Sequence, residues 1–379
     1  MPDAPEYSRK NPFPSALLAM RALSLEGSPK VTAHFELSLA GSGLAYDCGD
    51  ALGVVPQNCP DLVGDLVEAL GFSGDEVVPG NDGSDKPIRE ALTTDYAITT
   101  PSKKFFKYYN EKADDGEIAS VLEANDSKLF ADFIWGKEII DFILARPDAK
   151  FEPAEFVGLL GKLQPRLYSI ASSLKAHPDE VHLTVARVGY DSAGRARKGV
   201  CSSYLCDRIG IGDKMPVFVH VAKHFKMPED DAAPMIMVGP GTGIAPFRAF
   251  LEERKATGAS GKNWLFFGNP YRKTDFFYED EFAAAEQSGL LAKFTTAFSR
   301  DQEHKIYVQH RMLENGADLW AWLQDGAYFY VCGDASRMAK DVDDALLAIA
   351  QEHGGLDAEE AAEYIGALKK EKRYQRDVY

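Results

Sequence analysis

The run Met237-Val238-Gly239-Pro240-Gly241-Thr242-Gly243-Ile244-Ala245-Pro246 puts a glycine-rich turn between an apolar stretch and a helical pattern. Backbone can approach a phosphate closely at Gly241 and Gly243, and a helix N-terminus beyond them offers N–H groups and the positive end of a dipole. Pro246 suits the first helical turn, where its missing N–H costs little. The spacing serves equally for a tight strand–helix turn, because G-x-G alone does not separate the two. Downstream, Ser299 and Arg300 follow another apolar stretch, and Lys305, Tyr307 and Gln309 come soon after. An arginine, a lysine and two hydroxyls at a strand's carboxyl end suit a ribose 2′-phosphate, with Tyr307 placed to stack on adenine, which favours NADP over NAD. A solvated Arg/Lys loop has the same composition.

Three further runs carry chemistry. In Arg166-Leu167-Tyr168-Ser169 the arginine can pair bidentately with a pyrophosphate, the tyrosine can lie against a flat ring and the serine can reach that ring's reactive edge; a buried Arg–Tyr strand reads the same way. In Gly199-Val200-Cys201-Ser202-Ser203 a glycine and small hydroxyl residues open a helix, another terminus for an anion. Cys332, in Tyr330-Val331-Cys332-Gly333-Asp334, follows a buried strand, where a cysteine is often a small apolar filler. The chain ends Arg373-Tyr374-Gln375-Arg376-Asp377-Val378-Tyr379.

The elements that must position these residues fall into three characters. Residues 1–29 carry five prolines and read as an extended arm. Strands are expected at 31–39 and 47–56, a short helix at 61–70, and strands again at 166–171, 181–188 and 216–221; short strands between turns indicate a small antiparallel β-barrel. Between them, 75–164 reads as helical, with stretches at 105–109, 118–123, 130–143 and 153–163. From residue 234, apolar strands at 235–238, 264–267, 294–298 and 328–331 alternate with helices at 244–255, 279–287, 308–315 and 335–351, which means a doubly wound parallel sheet. The expected organisation is α/β plus β: an arm over 1–30, the barrel over 31–74 and 165–232, a helical insertion over 75–164, and a nucleotide-binding domain with a C-terminal tail over 233–379.

On these motifs the chain resembles the ferredoxin–NADP reductase superfamily, in its diflavin-reductase type, which has the helical insertion that simpler members lack. Among diflavin reductases the likeness extends to those of sulfite reduction, through Gly268-Asn269, Ser299-Arg300-Asp301-Gln302, the 335–342 run and the Arg-Asp-Val-Tyr ending. The resemblance implies FAD held by Arg166, Leu167, Tyr168 and Ser169, by Thr184, Val185, Ala186 and Tyr190, and by Gly199, Val200, Cys201 and Ser202. Tyr379 would cover the isoalloxazine. It implies NADPH held by Gly241, Thr242, Gly243, Ser299, Arg300, Lys305, Tyr307, Gln309 and Asp341, with the nicotinamide displacing Tyr379. Ser169, Cys332 and Asp377, with Tyr379, would be the catalytic set. The implied activity is hydride transfer from NADPH to FAD, then single electrons to a protein: a sirohaem sulfite reductase subunit, a flavodoxin or a ferredoxin. The FMN-binding flavodoxin domain of those relatives has no counterpart in the roughly thirty residues before the barrel. That departure keeps open a stand-alone flavodoxin or ferredoxin reductase, and a silent FAD-binding scaffold is the reading from another class.

Composition bounds these readings. A length of 379 residues with 45% hydrophobic content supplies two ordinary cores. Five cysteines are an odd number with no Cys-x-x-Cys spacing, which argues against a disulfide framework, a cysteine zinc site or an iron–sulfur cluster, so no metal is expected. A formal charge of −16 opposes nucleic acid and anionic membrane as partners. No apolar run is long enough to span a bilayer and the start lacks the pattern of a signal peptide, so a cytoplasmic location is expected.

Overall fold

Unbroken apolar runs build the sheet that carries the glycine-rich turn. In a computed structural model, which describes residues 6–379, Met235–Val238 and the core of Asn263–Asn269 and Tyr328–Gly333 are buried on both faces. All pairings in this five-stranded sheet are parallel, in the order Lys293–Phe298, Asn263–Asn269, Met235–Val238, Tyr328–Gly333, Tyr374–Val378. Period-two alternation divides the side chains between two cores. Met235, Met237, Leu265, Phe267, Tyr330 and Cys332 enter one; Ile236, Val238, Trp264, Phe266, Phe329 and Val331 enter the other. Chain order runs outward in opposite directions from Met235–Val238, so the switch point where doubly wound sheets bind ligands falls at its carboxyl end.

The fifth strand and the helix Ala358–Lys370 before it were not expected from the sequence. Tyr374-Gln375-Arg376-Asp377-Val378 is too polar to read as a buried strand, and it need not be one, because it lies at the sheet's edge. The C-terminal tail is thus paired into the sheet: Tyr379 N–H donates to Gly333 O and its own backbone oxygen accepts from Ala335 N–H, both at 3.1 Å.

A second, six-stranded sheet has the order Arg166–Ser169, Ala51–Val54, Lys214–His220, Phe13–Ala22, Thr32–Ser38, Glu180–Ala186, with antiparallel pairs along Phe13–Ala22 and between its two last members. The expected N-terminal arm is therefore corrected over 13–22, which is an interior strand of this sheet; residues 1–5 of that arm lie outside the described residues. Pro12 and Pro14 sit at the strand's start, where a proline is tolerated, and a register shift between Leu17 and Ala19 breaks the alternation that would have revealed it. In the Thr32–Ser38/Glu180–Ala186 pair, His34 lies opposite Thr184 and Glu36 opposite His182. His34 Nδ1 and Thr184 Oγ1 both meet the Tyr278 hydroxyl, at 2.9 and 2.6 Å. Burial, joined by the nearby Arg248 charge, lowers His34 to about 2 and His182 to about 3, so both imidazoles are neutral.

The chain divides into two compact units: one comprising the chain up to Gly53, Leu167–Ala186 and Gly210–Tyr379, with both sheets; the other Val54–Arg166 and Arg187–Ile209. The second is mainly helical, around Phe105, Phe106, Tyr109, Phe142 and Phe156. The helix expected over 130–143 is two, Ser127–Ile134 and Ile139–Ala145, because Gly136 adopts φ +71° and ends the first. A hairpin, Gly189–Ser192 with Arg195–Lys198, turns through Ala193 and Gly194 at φ +52° and +73°; Ala-Gly lacks the Asn-Gly signature and hid it.

Within this unit the buried guanidinium of Arg197 joins Glu138 at 2.9 Å and Asp141 at 2.7 Å, the two residues that open the Ile139–Ala145 helix. Removing the cation leaves two carboxylates without their partner, which costs about 3 kcal/mol or more. Arg197→Met is expected to lose that much in denaturant unfolding followed by far-UV circular dichroism; a loss under about 1 kcal/mol would show that the ion cluster does not hold the helix.

Candidate functional site

The carboxyl ends of the parallel strands converge on the glycine-rich turn. Gly241 adopts φ +60°, and a Cβ on Gly243 would lie 2.0 Å from Cys332 O, so only glycine lets the turn pack on the neighbouring strand. The turn enters a 3₁₀ segment, Gly241–Ile244, and the helix Ala245–Thr257, with Pro246 in its first turn. Pro240, at the N-cap of the 3₁₀ segment, has no side chain to satisfy its first N–H groups.

Strand register brings the next residues together. Cys332 lies directly opposite Asp377, and Gly333 opposite Val378. Asp377 Oδ2 accepts a hydrogen bond from Ser169 Oγ at 2.5 Å and a longer one from the Cys332 thiol at 3.8 Å. Burial, reinforced by the Asp377 charge, pushes the Cys332 thiol well above its ordinary range, so it is a neutral donor there and not a thiolate. Tyr379 follows two residues on, 63% exposed, with its hydroxyl 2.8 Å from Thr242 Oγ1 in the glycine-rich turn.

The residues that hold this cluster were not visible in the sequence. Asp50, fully buried, receives Lys226 Nζ at 2.6 Å and the N–H groups of Ala222 and Asp47, both at 2.9 Å. Its carbonyl accepts from Ile170 N–H at 3.0 Å, next to Ser169. Lys226 N–H in turn donates to Gln375 Oε1 at 2.8 Å, two residues before Asp377. One residue thus braces both partners of the Ser169–Asp377 bond, through its backbone carbonyl on one side and its carboxylate on the other. The only sequence signal was the Asp47-Cys48-Gly49-Asp50 turn, where a Cβ on Gly49 would lie 2.1 Å from Phe225 O.

Beyond the neighbouring strands, Ser299 N–H donates to Asn269 O and Arg300 N–H to Pro270 O, which fixes that loop at the carboxyl edge. Arg300 and Lys305 are exposed, and neither meets a carboxylate among the described residues. Tyr307 is exposed beside His310, and Gln309 Nε2 donates to Asp341 at 3.0 Å. These groups are near in sequence but make no cluster comparable to that around Asp377.

The segments expected to hold FAD belong to different units. In the first, Leu167 is exposed, Tyr168 half-buried, Val185 buried and Ala186 half-buried, while the Thr184 hydroxyl is committed to Tyr278. In the second, Arg166 is exposed, its guanidinium touching Gln164 O at 3.3 Å, and Tyr190 is exposed on the hairpin. Gly199 is the N-cap of the helix Val200–Asp207 and gives its first turn no capping side chain, while Cys201 and Ser202 are buried behind it. A helix start without a cap and an arginine without a carboxylate among the described residues both fit the diphosphate of a dinucleotide.

The chain matches the model of the FAD binding domain over residues 5–204 and that of the oxidoreductase NAD-binding domain over 237–344. It is similar to proteins named sulfite reductase [NADPH] flavoprotein alpha-component: 46% identical over 374 residues to that of Bacillus subtilis, covering 98% of this chain and 62% of the relative. The Aliivibrio fischeri protein is 46% identical over 99% of this chain and 61% of its own, and that of Serratia proteamaculans 44% over 100% and 62%. The chain thus spans about three-fifths of the length of the curated relatives it matches. With a parallel sheet built around a dinucleotide turn and an antiparallel sheet ahead of it, the chain belongs to the ferredoxin–NADP reductase superfamily, as an oxidoreductase with an FAD-binding domain followed by an NAD-binding domain.

Proposed function

We propose that the chain is the reductase portion of an NADPH-dependent flavoprotein that delivers electrons to the haemoprotein component of a sulfite reductase. The observation that carries the reading is the Ser169–Asp377–Cys332 cluster at the sheet's switch point. The name shared by the relatives supports the acceptor, and free cysteines suit a cytoplasmic location. No helix among the described residues is long and apolar enough to cross a membrane.

Bound FAD supplies the conversion of two electrons, delivered together by NADPH, into single electrons for the acceptor. Arg166 and the start of the Val200–Asp207 helix, through Gly199, Val200, Cys201 and Ser202, take its diphosphate. Leu167, Tyr168, Val185, Ala186 and Tyr190 border its rings and tail, and Thr184 contributes backbone, since its hydroxyl is engaged. Gly241, Thr242 and Gly243 take the NADPH diphosphate; Ser299, Arg300 and Lys305 its 2′-phosphate; Tyr307 its adenine. Asp341 holds Gln309 toward the same nucleotide. Ser169 and Cys332 share Asp377 as acceptor, so their hydrogens are directed and the carboxylate would face the nicotinamide where positive charge develops on it. Tyr379 covers the ring face until the nicotinamide takes its place. The six-stranded sheet acts as the FAD-binding barrel, a reading supported by the Ile170–Leu183 bridge between segments at its two edges, and residues 233–379 form the NADP-binding domain.

The direct test supplies the FAD-loaded chain with NADPH and ferricyanide, then with a sirohaem sulfite reductase haemoprotein and any FMN carrier it requires. NADPH-dependent reduction of both acceptors is expected; reduction of neither overturns the function, and reduction of ferricyanide alone overturns the acceptor. Replacing Arg300 and Lys305 together by alanine is expected to raise KM for NADPH about tenfold or more, as two charge-assisted contacts are lost, with NADH changed less than about twofold. Equal effects on the two nucleotides in steady-state kinetics would remove the 2′-phosphate from this loop.

Tyr379→Ala keeps the backbone hydrogen bonds and removes only the cover. It is expected to lower the ratio of kcat/KM for NADPH over NADH severalfold, whereas Tyr379→Phe, which keeps the ring and loses the Thr242 contact, retains most of the discrimination. An unchanged ratio in the alanine variant would show that the ring does not guard the site.

A further inference from the structure

We propose that the paired strands Thr32–Ser38 and Glu180–Ala186 carry a binding site for one transition-metal dication, Zn²⁺ being the best match, held by His34, Glu36 and His182. The ligands come from a His-x-Glu on one strand and from His182 on its neighbour.

Antiparallel register creates the cluster. Side chains two residues apart share a face, so His34 and Glu36 on one strand and Glu180, His182 and Thr184 on the other point the same way, with Glu36 directly opposite His182. The ligand atoms of His34, Glu36 and His182 lie within 4.8 Å of one another, a separation that small side-chain rotations close to coordination distance. His177, Glu180 and His182 form a second such group. Both use His182, so the face holds one ion, and Glu180, 3.1 Å from His182 Nε2, is the nearest further oxygen.

The surroundings of His34 are those of a ligand histidine. A metal-bound imidazole needs its other nitrogen to carry a proton and donate it. His34 Nδ1 faces the Tyr278 hydroxyl, which also contacts Thr184 Oγ1. When Tyr278 donates to Thr184 it accepts from His34 Nδ1–H, and the Nε2 lone pair then faces Glu36 Oε1 at 3.3 Å, a contact between two acceptors that a cation between them would relieve. When the hydroxyl pair reverses, Nε2 carries the proton and donates to Glu36, so the same residues satisfy themselves without metal. The histidines are buried, while Glu36 and Glu180 remain 33% and 35% exposed and give an ion an entrance from solvent.

Two cations oppose the site: Arg248, with Nη1 3.4 Å from His182 Nδ1, and Arg21, directly opposite His34 in strand register. Their charges are already matched by two carboxylates: Glu281 pairs with both, at 2.6 Å each, Glu252 pairs with Arg248 at 2.8 Å, and Arg248 Nη1 is engaged by Ala171 O at 2.7 Å. Glu36 and Glu180 are then left to balance a dication. Imidazole with carboxylate and no thiolate favours Zn²⁺ among the common divalent ions over Mg²⁺ or Ca²⁺.

The FAD-loaded chain, stripped with chelator, would be titrated calorimetrically with zinc chloride. One equivalent is expected, with a zinc-edge X-ray absorption shell of nitrogen and oxygen at about 2.0–2.1 Å and no sulfur. Glu36→Gln, on the half-buried rim, and His34→Gln should each weaken binding at least about tenfold, and Tyr278→Phe by a similar factor, with FAD content unchanged. Absence of stoichiometric binding, a sulfur shell, or Glu36→Gln with wild-type affinity would each overturn the site.

Discussion

The parallel pairing of the last strand with Tyr328–Gly333 is the constraint on which the site depends. Register alone sets Cys332 beside Asp377, and a slip of one residue would turn every side chain of Tyr374–Val378 to the opposite face. Tyr374 enforces the register from below: it is buried against Phe329, and its hydroxyl meets Asp343 on the helix Met338–Gly354. The backbone bonds of Tyr379 to Gly333 and Ala335 enforce it from above. The backbone of Tyr374–Tyr379 is thus hydrogen-bonded along this edge of the sheet, while the Tyr379 ring stays exposed.

Asp377 is also where the two sheets meet, through Ser169. A hydrogen bond that joins two sheets is useful only if each side is held independently, and Asp50 does this for both. Its buried carboxylate is balanced by Lys226, as a buried charge must be, and the same lysine's backbone reaches Gln375. Glycines at 49 and 243 supply the close approaches that bring these segments together. The groups of the Ser169–Asp377–Cys332 cluster are few, but the residues that position them extend through loops with no chemical signature of their own.

That division explains what could be read from the sequence. Strands buried on both faces, such as Met235–Val238, announce themselves by unbroken apolar runs, and the glycine-rich turn by its spacing. Ser169, Cys332 and Asp377 could be named through resemblance, but their meeting at one oxygen could not, because it depends on pairing between strands far apart in the chain. Phe13–Ala22 was hidden by prolines at its start and a register shift, Tyr374–Val378 by edge-strand polarity, and the break at Gly136 by apolar residues continuing on both sides. Thr184 shows the converse: named for its place in the likeness, its side chain proves committed to the buried Tyr278 network. The histidines of that network come together only through strand pairing, which neither strand's sequence displays by itself.

We propose that Asp377, held by Ser169 and Cys332, stabilises the charge that develops on the nicotinamide. The most direct test is stopped-flow reduction of the bound flavin by NADPH in Asp377→Asn, which preserves shape and removes the charge. Losing an interaction with a charged group of about 1.5–3 kcal/mol predicts a limiting reduction rate lower by roughly ten- to a hundredfold, with FAD still bound and NADPH affinity little altered. A limiting rate equal to that of the unmodified protein would contradict the account.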